Sequence, residues 1–306
     1  MIKYRKIFFI FSGTLSIISI ISLSMWGLKF GIDFTGGSLL EVKFTNATQF
    51  SVQEIKDTLE GQKLLSLIIQ PVGDDSFMLR FQQSDEATHQ KVLTDLKTLA
   101  TSKKQTLEEK RYDSIGPVVG RELKSKTLWA IFLSAVGIIS YIAWAFRRVS
   151  WPVASWKYGT TAVIALIHDL LIVTGIFSIL GRFLNIEVGV PFVAALMTIF
   201  GYSVHDTIVV FDRIRENLGR GAKETFEVIV NNSIAQTLVR SINTSLLTEL
   251  ALVAIMFFGG ETIKDFVLAL IFGIFFGTYS SIFIASALLV TWENWKHRPR
   301  KILSKR

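Results

Sequence analysis

The chain has 306 residues and no cysteine, carries a formal net charge of +8, and half of its residues are apolar. The lack of cysteine excludes disulfides, a thiolate nucleophile and cysteine-ligated metal sites. Residues 29–126 hold 14 Lys and Arg and 14 Asp and Glu, so the whole net charge lies elsewhere, in the tails and short loops, which argues against nucleic-acid binding.

Six apolar stretches predict a polytopic α-helical membrane protein with six transmembrane helices. Most of them are near or above the ~20 residues that a helix needs to cross a hydrocarbon core. The first stretch follows a basic start, but it is longer than the ~7 to 15 apolar residues of a cleaved signal peptide, so we expect an uncleaved anchor. The stretches are 7–26, 128–146, 162–180, 188–211, 246–258 and 266–292.

The basic residues outside these stretches predict the orientation. They concentrate in alternate connections, and the intervening short loops hold only Arg182 and Lys264, so the positive-inside rule places both termini in the cytoplasm. The basic positions are Lys3, Arg5, Lys6, Arg147, Arg148, Lys157 and those within 213–223 and 296–306. The predicted parts are a first transmembrane helix (1–28), an extracytoplasmic domain (29–126), a five-helix transmembrane bundle (127–293) and a basic cytoplasmic tail (294–306).

The polar segment 29–126 predicts an extracytoplasmic α+β domain. Val52, Ile55 and Leu59 have the spacing of an amphipathic helix, which Gly61 could end, and short apolar alternations indicate strands. The predicted order is strand 38–44, helix 52–59, strand 65–70 with a turn at 71–75, strand 77–81, helix 92–99 and strand 105–112. This βαββαβ order is that of a ferredoxin-like unit, a fold that does not by itself indicate a function.

The fifth apolar stretch reaches spanning length only if polar residues enter the membrane with it. Arg240 would then lie at or just inside the membrane edge. The connection before it, 212–239, is predicted to be the one long cytoplasmic loop of the bundle, with 224–230 as an amphipathic helix along the membrane. The polar residues that would enter the membrane are Ser241, Asn243, Thr244 and Ser245.

Ionisable residues inside the predicted spans are the first candidates for function. Each costs about 2.5 to 3.5 kcal/mol to insert, so such residues usually face the interior of a bundle and mark ion or proton paths. Asp169, preceded by His168, falls near the middle of the third span, where a structural polar contact and a transport role both remain open. Glu249 could extend to the interface, pair with a basic residue or face another subunit, and these alternatives also remain open.

Asp206, in the fourth span, is the strongest of these candidates. On a helix, Tyr202, Ser203 and Arg213 share its face, so hydroxyl groups and a cation would line the same stripe. A movement that changes the distance between a buried carboxyl and a guanidinium would take up or release a proton. His205 is a natural titrating neighbour near neutral pH, but its side chain points about 100° away around the helix.

Small residues and missing motifs complete the pattern. Gly273 and Gly277 form G-x-x-x-G in the last span, followed by Ser280, Ser281 and Ala285, which permits close helix packing; ordinary bundle packing is the favoured interpretation.

The sequence has no nucleotide-binding loop, no H-E-x-x-H and no G-x-S-x-G. We therefore expect a non-enzymatic protein that binds no ATP, metal or other cofactor.

Six short motifs follow one another along the chain. They are FGIDFTGG at 30–37, with Gly31, Asp33, Gly36 and Gly37; GPVVGREL at 116–123, with Gly116 and Gly120; His168 and Asp169; GYSVHDTIVVFDRIREN at 201–217; QTLVRSINTS at 236–245; and GTYSS at 277–281, with Gly277 and Ser281. Together, in this order, they resemble the signatures of the SecF family.

The resemblance implies a function in protein export. SecF proteins pair with SecD to form a twelve-span unit of the resistance-nodulation-division type in the bacterial inner membrane. That unit assists the SecYEG channel, with YajC as a further candidate partner, and uses the proton-motive force in late export of the translocating preprotein. The family's proton-linked motifs fall here on Asp206 and Arg240, with His168, Asp169, Tyr202, Ser203 and His205 as candidates for relay or support.

The sequence departs from the family pattern at a few positions, and two other functions remain open. His205 stands where Asn is expected, and Leu247 and Glu249 stand where the family more often has hydroxyl and apolar residues. A small-molecule efflux pump of the same superfamily is disfavoured, because six spans without internal duplication do not make a complete pump. A passive scaffold that only stabilises its partner is the second alternative.

Overall fold

The computed structural model describes residues 1–45, 50–62, 64–72, 75–82, 85–145, 153–220 and 224–296. Its helices and strands are α1 (Arg5–Trp26), α2 (Ile32–Thr35), β1 (Gly37–Phe44), α3 (Val52–Leu59), β2 (Ile68–Val72), β3 (Ser76–Phe81), α4 (Glu86–Ser102), β4 (Leu107–Ile115), α5 (Pro117–Ala145), α6 (Ser155–Phe183), α7 (Val190–Gly219), α8 (Phe226–Phe258), α9 (Glu261–Ser280) and α10 (Ser286–Lys296). A π-helical segment, Ser281–Ala285, joins α9 to α10.

Two compact units make up the chain. One comprises Met1–Lys29 with Trp129–Arg306, and the other comprises Phe30–Leu128. Six helical stretches within the described ranges are long and apolar enough to cross a membrane, which confirms the six predicted spans. They are Ile2–Trp26, Pro117–Ala145, Ser155–Phe183, Val190–Gly219, Phe226–Phe258 and Ile263–Asn294.

The unit formed by Phe30–Leu128 is an α+β domain with one antiparallel sheet in the strand order β2-β3-β1-β4. Alternate residues of β1 and β3 face α3 and α4, and this burial builds the core. Both helices begin with a side-chain cap, because Ser51 accepts a hydrogen bond from the Glu54 N–H and Asp85 accepts one from the Thr88 N–H. The predicted order of strands and helices in this segment is therefore correct.

One detail of that prediction was wrong. The second strand was expected to stop before the turn at 71–75, but β2 continues through Pro71 to Val72. It is an edge strand, where a residue without an N–H leaves the pairing with β3 intact. The first helix of the domain has the predicted bounds, because α3 ends at Leu59, and a 3₁₀ turn that contains Gly61, Glu60–Gln62, follows it.

The long cytoplasmic loop predicted at 212–239 is also wrong. α7 continues to Gly219 and α8 begins at Phe226, so 224–230 is not a separate surface helix. Polar side chains join the two extended helices: Asn217 Nδ2 donates to Ser233 Oγ at 2.8 Å and Arg213 Nε donates to Gln236 Oε1 at 2.6 Å. The hydrophilic residues that suggested a loop instead form hydrogen bonds between the ends of the two helices.

Several predicted features lie outside the described residues. These are Arg147 and Arg148, residues 221–223 of the basic loop, Gly73 and Asp74 of the predicted turn, and the basic tail beyond Lys296.

The G-x-x-x-G motif packs α9 against α7, as expected for ordinary bundle packing. A Cβ atom at Gly277 would lie 3.2 Å from the Cβ of Ser203, and one at Gly273 would overlap the side chain of Ile199. The absence of side chains at these two positions therefore lets the helices approach closely. This approach brings the hydroxyl-rich end of α9 against the polar residues of α7.

Candidate functional site

A buried polar cluster lies where α6, α7, α8 and α9 meet. The helical repeat puts Ser203 and Asp206 three residues apart on α7, on neighbouring parts of one face. α6 contributes Asp169, α8 contributes Ser245, and the end of α9 contributes hydroxyl groups. All these side chains are buried, although most protein interiors exclude unpaired polar groups.

Asp169 is the centre of one half of this cluster, and its side chain is completely buried. Its Oδ2 accepts hydrogen bonds from Ser203 Oγ at 2.6 Å and from Ser280 Oγ at 2.7 Å. Its Oδ1 lies 2.9 Å from Nδ1 of His168. The carboxyl group thus ties α6 to both α7 and α9.

Ser281 extends this contact at the point where α9 changes into the π-helical segment. Its hydroxyl lies 2.8 Å from Thr207 Oγ1 and can donate to the carbonyl oxygen of Ser203 at 3.1 Å or of Gly277 at 2.8 Å. Ser286 Oγ donates to the Ser281 carbonyl five residues earlier. π-Helical turns are rare in proteins, and those that occur are often found at functional sites. The sequence pattern did not reveal this segment.

Asp206 is the centre of the other half, and 4% of its surface is exposed. Its Oδ2 accepts a hydrogen bond from Thr278 Oγ1 at 3.2 Å. Thr278 Oγ1 is in turn 2.5 Å from Ser245 Oγ, which accepts a bond of 3.4 Å from the hydroxyl of Tyr202. Ser241 Oγ is buried and has no hydrogen-bond partner among the described residues.

The predicted stripe around Asp206 is only partly present. Ser203 donates to Asp169 instead, because its position on α7 faces α6. Tyr202 is linked to Asp206 only through the hydroxyls of Ser245 and Thr278. The stripe's cation, Arg213, bonds to Gln236 and Glu216 at the end of the helix hairpin. Sequence spacing placed these residues along neighbouring parts of α7 but did not indicate which neighbouring helix each side chain meets.

Arg240, His205 and Glu249 are not part of the buried cluster. Arg240 and His205 are exposed, and in the part of the chain that the structure describes no ion pair within 4 Å joins Arg240 to Asp206. Arg240 precedes the buried Ser241 by one residue, so it points about 100° away around α8. Glu249 is half-buried and has no ion pair in the described ranges, which disfavours pairing within this chain.

The motif glycines of the α+β unit form a close backbone contact. Gly36 has φ +72° and Gly37 has φ +127°, a region that favours glycine, and Gly120 approaches the Gly36 nitrogen so closely that a Cβ would lie 3.0 Å from it. Gly31 caps α2, where Asp33 lies in the first turn, and its carbonyl oxygen accepts a bond from Thr35. The Gly116 carbonyl accepts from the Gly120 N–H. These motif residues allow the backbones of α2, β1 and the start of α5 to pack closely against one another.

One buried ion pair was missed by the sequence analysis. Lys157 was assigned to a cytoplasmic basic turn, but it lies in α6, 4% exposed, with Nζ 2.5 Å from Oε2 of Glu293 on α10. An acidic residue near the end of the last apolar stretch was the available signal. No three His, Asp or Glu side chains come together as a metal site within the described ranges.

Comparison with protein families and known proteins identifies close relatives. Residues 95–295 match the family model "Protein export membrane protein SecD/SecF, C-terminal", and residues 21–48 match "SecD/SecF GG Motif". The chain is 44% identical to the protein translocase subunit SecF of Thermobaculum terrenum, covering 96% of this chain and 93% of the relative. It is 39% identical to the SecF subunit of Anaerolinea thermophila, covering 97% and 96%.

The structure is also similar to solved SecDF structures. The crystal structure of SecDF from Thermus thermophilus, a translocon-associated membrane protein, matches with a TM-score of 0.80 and 33% identity over 96% of this chain. A SecDF structure in a super-membrane-facing form matches with a TM-score of 0.66 and 32% identity. This chain spans 38% of the first SecDF chain and 39% of the second.

Proposed function

The chain belongs to the SecD/SecF family of protein-export membrane proteins, and we propose that it is the SecF-type half of a proton-driven export unit. The resemblance carried by the ordered motifs is thereby confirmed, and the six apolar helices make the protein a multi-pass protein of the inner membrane. The single observation that carries the proton coupling is the state of Asp206. It is a buried carboxyl that accepts one long hydrogen bond among the residues the structure describes, and it lies in a helix apolar enough to span the membrane.

Protonation of Asp206 changes the hydrogen bonds that its neighbours can make. An ionised carboxylate only accepts hydrogen bonds, whereas a protonated carboxyl also donates one. When Asp206 gains a proton, Thr278 need no longer donate to it, and the bonds of Thr278 to Ser245 and of Ser245 to Tyr202 can rearrange. Because Thr278 belongs to α9 and Ser245 to α8, the proton alters the contacts among α7, α8 and α9.

The outward face of α8 supports a SecD chain as the partner. Arg240, Asn243 and Thr244 are exposed near the middle of this 33-residue helix, beside the exposed Leu246 and Leu247. A guanidinium facing lipid would be costly, so a second membrane protein with acidic or polar groups is expected to cover it. The related SecDF chains are much longer than this one, which leaves room in them for such a second half.

In this arrangement Arg240 acts through an interface. Within this chain it is one helix position from Ser241, which is buried close to Asp206. A shift of α8 on its partner would bring the guanidinium toward Asp206 or withdraw it, and so favour release or uptake of the proton. The pair Asp206 and Arg240 is therefore the proposed proton-coupling site, with His205 as an exposed neighbour.

The remaining features follow from the same proposal. Both termini are cytoplasmic, the domain at 29–126 is a ferredoxin-like domain on the outer side that meets the translocating preprotein, and the spans 1–28 and 127–293 form the membrane part. The tail at 294–306 is cytoplasmic. The export unit assists the SecYEG channel at a late stage of translocation, with YajC as a further candidate partner, and it performs no enzymatic reaction.

An export assay in membrane vesicles tests the proton coupling. We expect Asp206→Asn to abolish the part of preprotein export that depends on a proton gradient, because an amide cannot exchange the proton. Asp212→Asn is the matched control, since Asp212 lies on the same helix but is exposed and paired with Arg215. Gradient-dependent export that is undiminished in Asp206→Asn would refute the proposal.

The scaffold alternative makes a different prediction in the same vesicles. If the chain only stabilises its partner, replacing Asp206 and Arg240 together by neutral residues leaves export unchanged, while deleting the chain lowers the amount of the partner. If the chain couples protons, the double variant loses gradient-dependent export while the partner stays at its normal level. Copurification of a SecD-type chain with both variants is the control for assembly.

A further inference from the structure

We propose that Ser241, on α8, is a positioning residue for Asp206. Its hydroxyl donates a hydrogen bond to the carboxylate when Asp206 is ionised and gives that bond up when Asp206 is protonated, so the position of α8 follows the charge of this carboxyl. The contact between the two side chains stands on the geometry of this chain. The link from this contact to export rests on the function proposed above.

Ser241 differs from the other serines and threonines of α8 in the partner of its hydroxyl. The hydroxyls of the others donate to the backbone carbonyl oxygen four residues earlier in the helix, at 2.8 to 3.1 Å. This bond is a common partner for a hydroxyl inside a helix. Ser241 does not make it, and its hydroxyl has no other partner among the described residues. The residues that do make it are Ser233, Thr237, Thr244, Ser245 and Thr248.

The unbonded hydroxyl of Ser241 is buried beside the carboxyl of Asp206. The residue is 2% exposed. Its side chain is close enough to Asp206 to act on the carboxyl as a donor, although the two groups do not form a bond of good geometry. Buried polar groups without a partner are rare in native proteins, and leaving a donor unsatisfied costs folding free energy. A hydroxyl kept in this condition next to a functional carboxyl therefore has a use in another state of the protein.

Asp206 has the complementary deficit. Its Oδ2 accepts one bond from Thr278 at 3.2 Å, and its Oδ1 accepts none within the described ranges. An ionised carboxylate has lone pairs for about four donors. A donor without an acceptor and an acceptor short of donors thus lie next to each other where α7 packs against α8. A small approach of α8 toward α7 completes the bond.

The charge of Asp206 decides whether this bond forms. A hydrogen bond to an ionised carboxylate is shorter and roughly twice as strong as one between neutral groups. Ionisation therefore draws the Ser241 hydroxyl toward Asp206, and α8 moves with it. Protonation removes most of that gain and restores the unbonded arrangement of the structure. No covalent bond of Ser241 changes, because only its existing O–H group is redirected.

This movement reaches the face of α8 on which the second chain is proposed to lie. Arg240 precedes Ser241 and is exposed, and Ser245, one turn further along α8, is 2.5 Å from Thr278. Drawing Ser241 toward Asp206 therefore displaces Arg240 and changes the contact of Ser245 with Thr278. The charge of one buried carboxyl is in this way transmitted to the whole of α8.

The other ionisable groups around Asp206 have different partners or are exposed. Tyr202 bonds to Ser245, Asp169 bonds to serines of α7 and α9, and the Tyr279 hydroxyl bonds to α1. In the part of the chain that the structure describes, none of these groups forms a hydrogen bond with Asp206 or with the Ser241 side chain. They are Tyr202 and His205 on α7, Arg240 and Glu249 on α8, His168 and Asp169 on α6, and Tyr279 on α9.

Carbon NMR of the full chain in lipid nanodiscs tests the contact directly. With ¹³C at the aspartate carboxyl groups, Asp206→Asn assigns the Asp206 signal by its loss. In alkaline buffer we expect Ser241→Ala to shift this signal, because the ionised group loses a donor, and Ser241→Thr to leave it near its wild-type position. Thr248→Ala is the matched control, since the Thr248 hydroxyl lies on the same helix and bonds to the Thr244 carbonyl.

The same spectra in acidic buffer test the dependence on charge. There we expect the Asp206 signal of Ser241→Ala to match that of the wild type, because the bond is absent in both. An Asp206 signal that does not respond to Ser241→Ala in alkaline buffer overturns the proposal. A response of equal size in both buffers also overturns it, because the contact would then be independent of charge.

The stability of Ser241→Ala separates a positioning role from a packing role. The structure shows the hydroxyl buried and unbonded, so its removal costs no hydrogen bond when Asp206 is protonated. We therefore expect this variant to unfold in acidic buffer at an SDS concentration no lower than that of the wild type. Unfolding at a lower SDS concentration would show that the hydroxyl supports the fold, and would contradict the proposal.

Export assays relate the contact to function. We expect Ser241→Ala to reduce gradient-dependent export about tenfold, the order of the equilibrium constant for one hydrogen bond to a charged group, and Ser241→Thr to keep most of it. Full gradient dependence in Ser241→Ala would contradict the link to export. If Asp206→Asn keeps gradient-dependent export, the proposed function fails while the NMR contact stands. If the Asp206 signal ignores Ser241→Ala, the positioning role fails while the role of Asp206 stands.

Discussion

Two of the buried carboxyl groups of the bundle, Asp169 and Asp206, differ in how completely their own chain satisfies them. Asp169 is fully buried, accepts hydrogen bonds from two serine hydroxyls at 2.6 and 2.7 Å, and lies 2.9 Å from Nδ1 of His168. In the described part of the chain Asp206 accepts one bond, of 3.2 Å, from Thr278, and the buried Ser241 hydroxyl lies nearby without a bond of good geometry. A well-satisfied carboxylate keeps one charge state and holds helices together, whereas a poorly satisfied one can change state or accept a partner's group. From this difference we propose an anchoring role for Asp169 and proton exchange for Asp206.

The largest expected loss of stability is that caused by replacing Asp169, and it tests the difference between the two carboxyl groups. Asp169→Ala leaves the buried hydroxyls of Ser203 and Ser280 without this acceptor and also removes the contact with His168 on the same helix. Because a buried donor left unsatisfied costs about 1 to 3 kcal/mol, we expect a loss of about 2 kcal/mol in the free energy of unfolding. Unfolding of the full chain by SDS in detergent micelles, followed by tryptophan fluorescence, measures it. A loss no greater than that of Asp206→Ala would show that Asp169 is not the anchor.

A double variant that removes the serine donors of Asp169 is expected to cause an intermediate loss of stability. Ser203→Ala with Ser280→Ala removes two of the three bonds to Asp169, so we expect a loss of about 1 kcal/mol in the same SDS assay. Thr198→Ala is the matched control, because Thr198 is an exposed hydroxyl residue on α7 that bonds only to its own helix. If the double variant is as stable as the control, the short contacts at Asp169 do not hold α6, α7 and α9 together.

The smallest expected effect on stability is at the site with the proposed function. Asp206→Ala removes one long hydrogen bond, so we expect a loss of about 0.6 kcal/mol at most, together with loss of gradient-dependent export. The SDS assay and the vesicle assay are compared on the same preparation. A large loss of stability would contradict the assignment, because the export defect would then follow from unfolding.

The sequence predicted the elements that depend on local pattern. The six spans, β1, β3, α3 and α4 follow from apolar runs and periodicity, and the membrane cost of charge drew attention to Asp169 and Asp206. Gly273 and Gly277 likewise indicated close packing, which the contact of α9 with α7 confirms. Each of these signals lies within a single segment of the chain.

What the sequence did not reveal depends on which segments meet. The helical repeat placed Ser203 beside Asp206, but only the position of α6 directs the Ser203 hydroxyl to Asp169. The pair Lys157 and Glu293 joins residues 136 positions apart, and no periodicity reports such a contact. The polar ends of α7 and α8 were predicted to be a loop because of their hydrophilic composition. In the structure these polar residues form hydrogen bonds with one another, a contact that composition alone does not show.

The exposed Arg240 illustrates the same limit at an interface. The family motifs suggested Arg240 as a partner for Asp206, yet within this chain Arg240 is exposed and no ion pair joins it to Asp206 in the described ranges. It lies on the face that a second membrane chain is proposed to cover. A site completed by two chains cannot be read in full from one of them. The buried Ser241 hydroxyl, one residue further, marks where α8 comes close to Asp206.

Infrared difference spectroscopy of the full chain in lipid tests the central claim, that Asp206 is the carboxyl whose charge state changes. Spectra recorded between alkaline and acidic buffer report the carbonyl stretch of newly protonated buried carboxyl groups. We expect this band to disappear in Asp206→Asn and to persist in the control Asp212→Asn. A band that keeps its full amplitude in a folded Asp206→Asn chain would contradict the account.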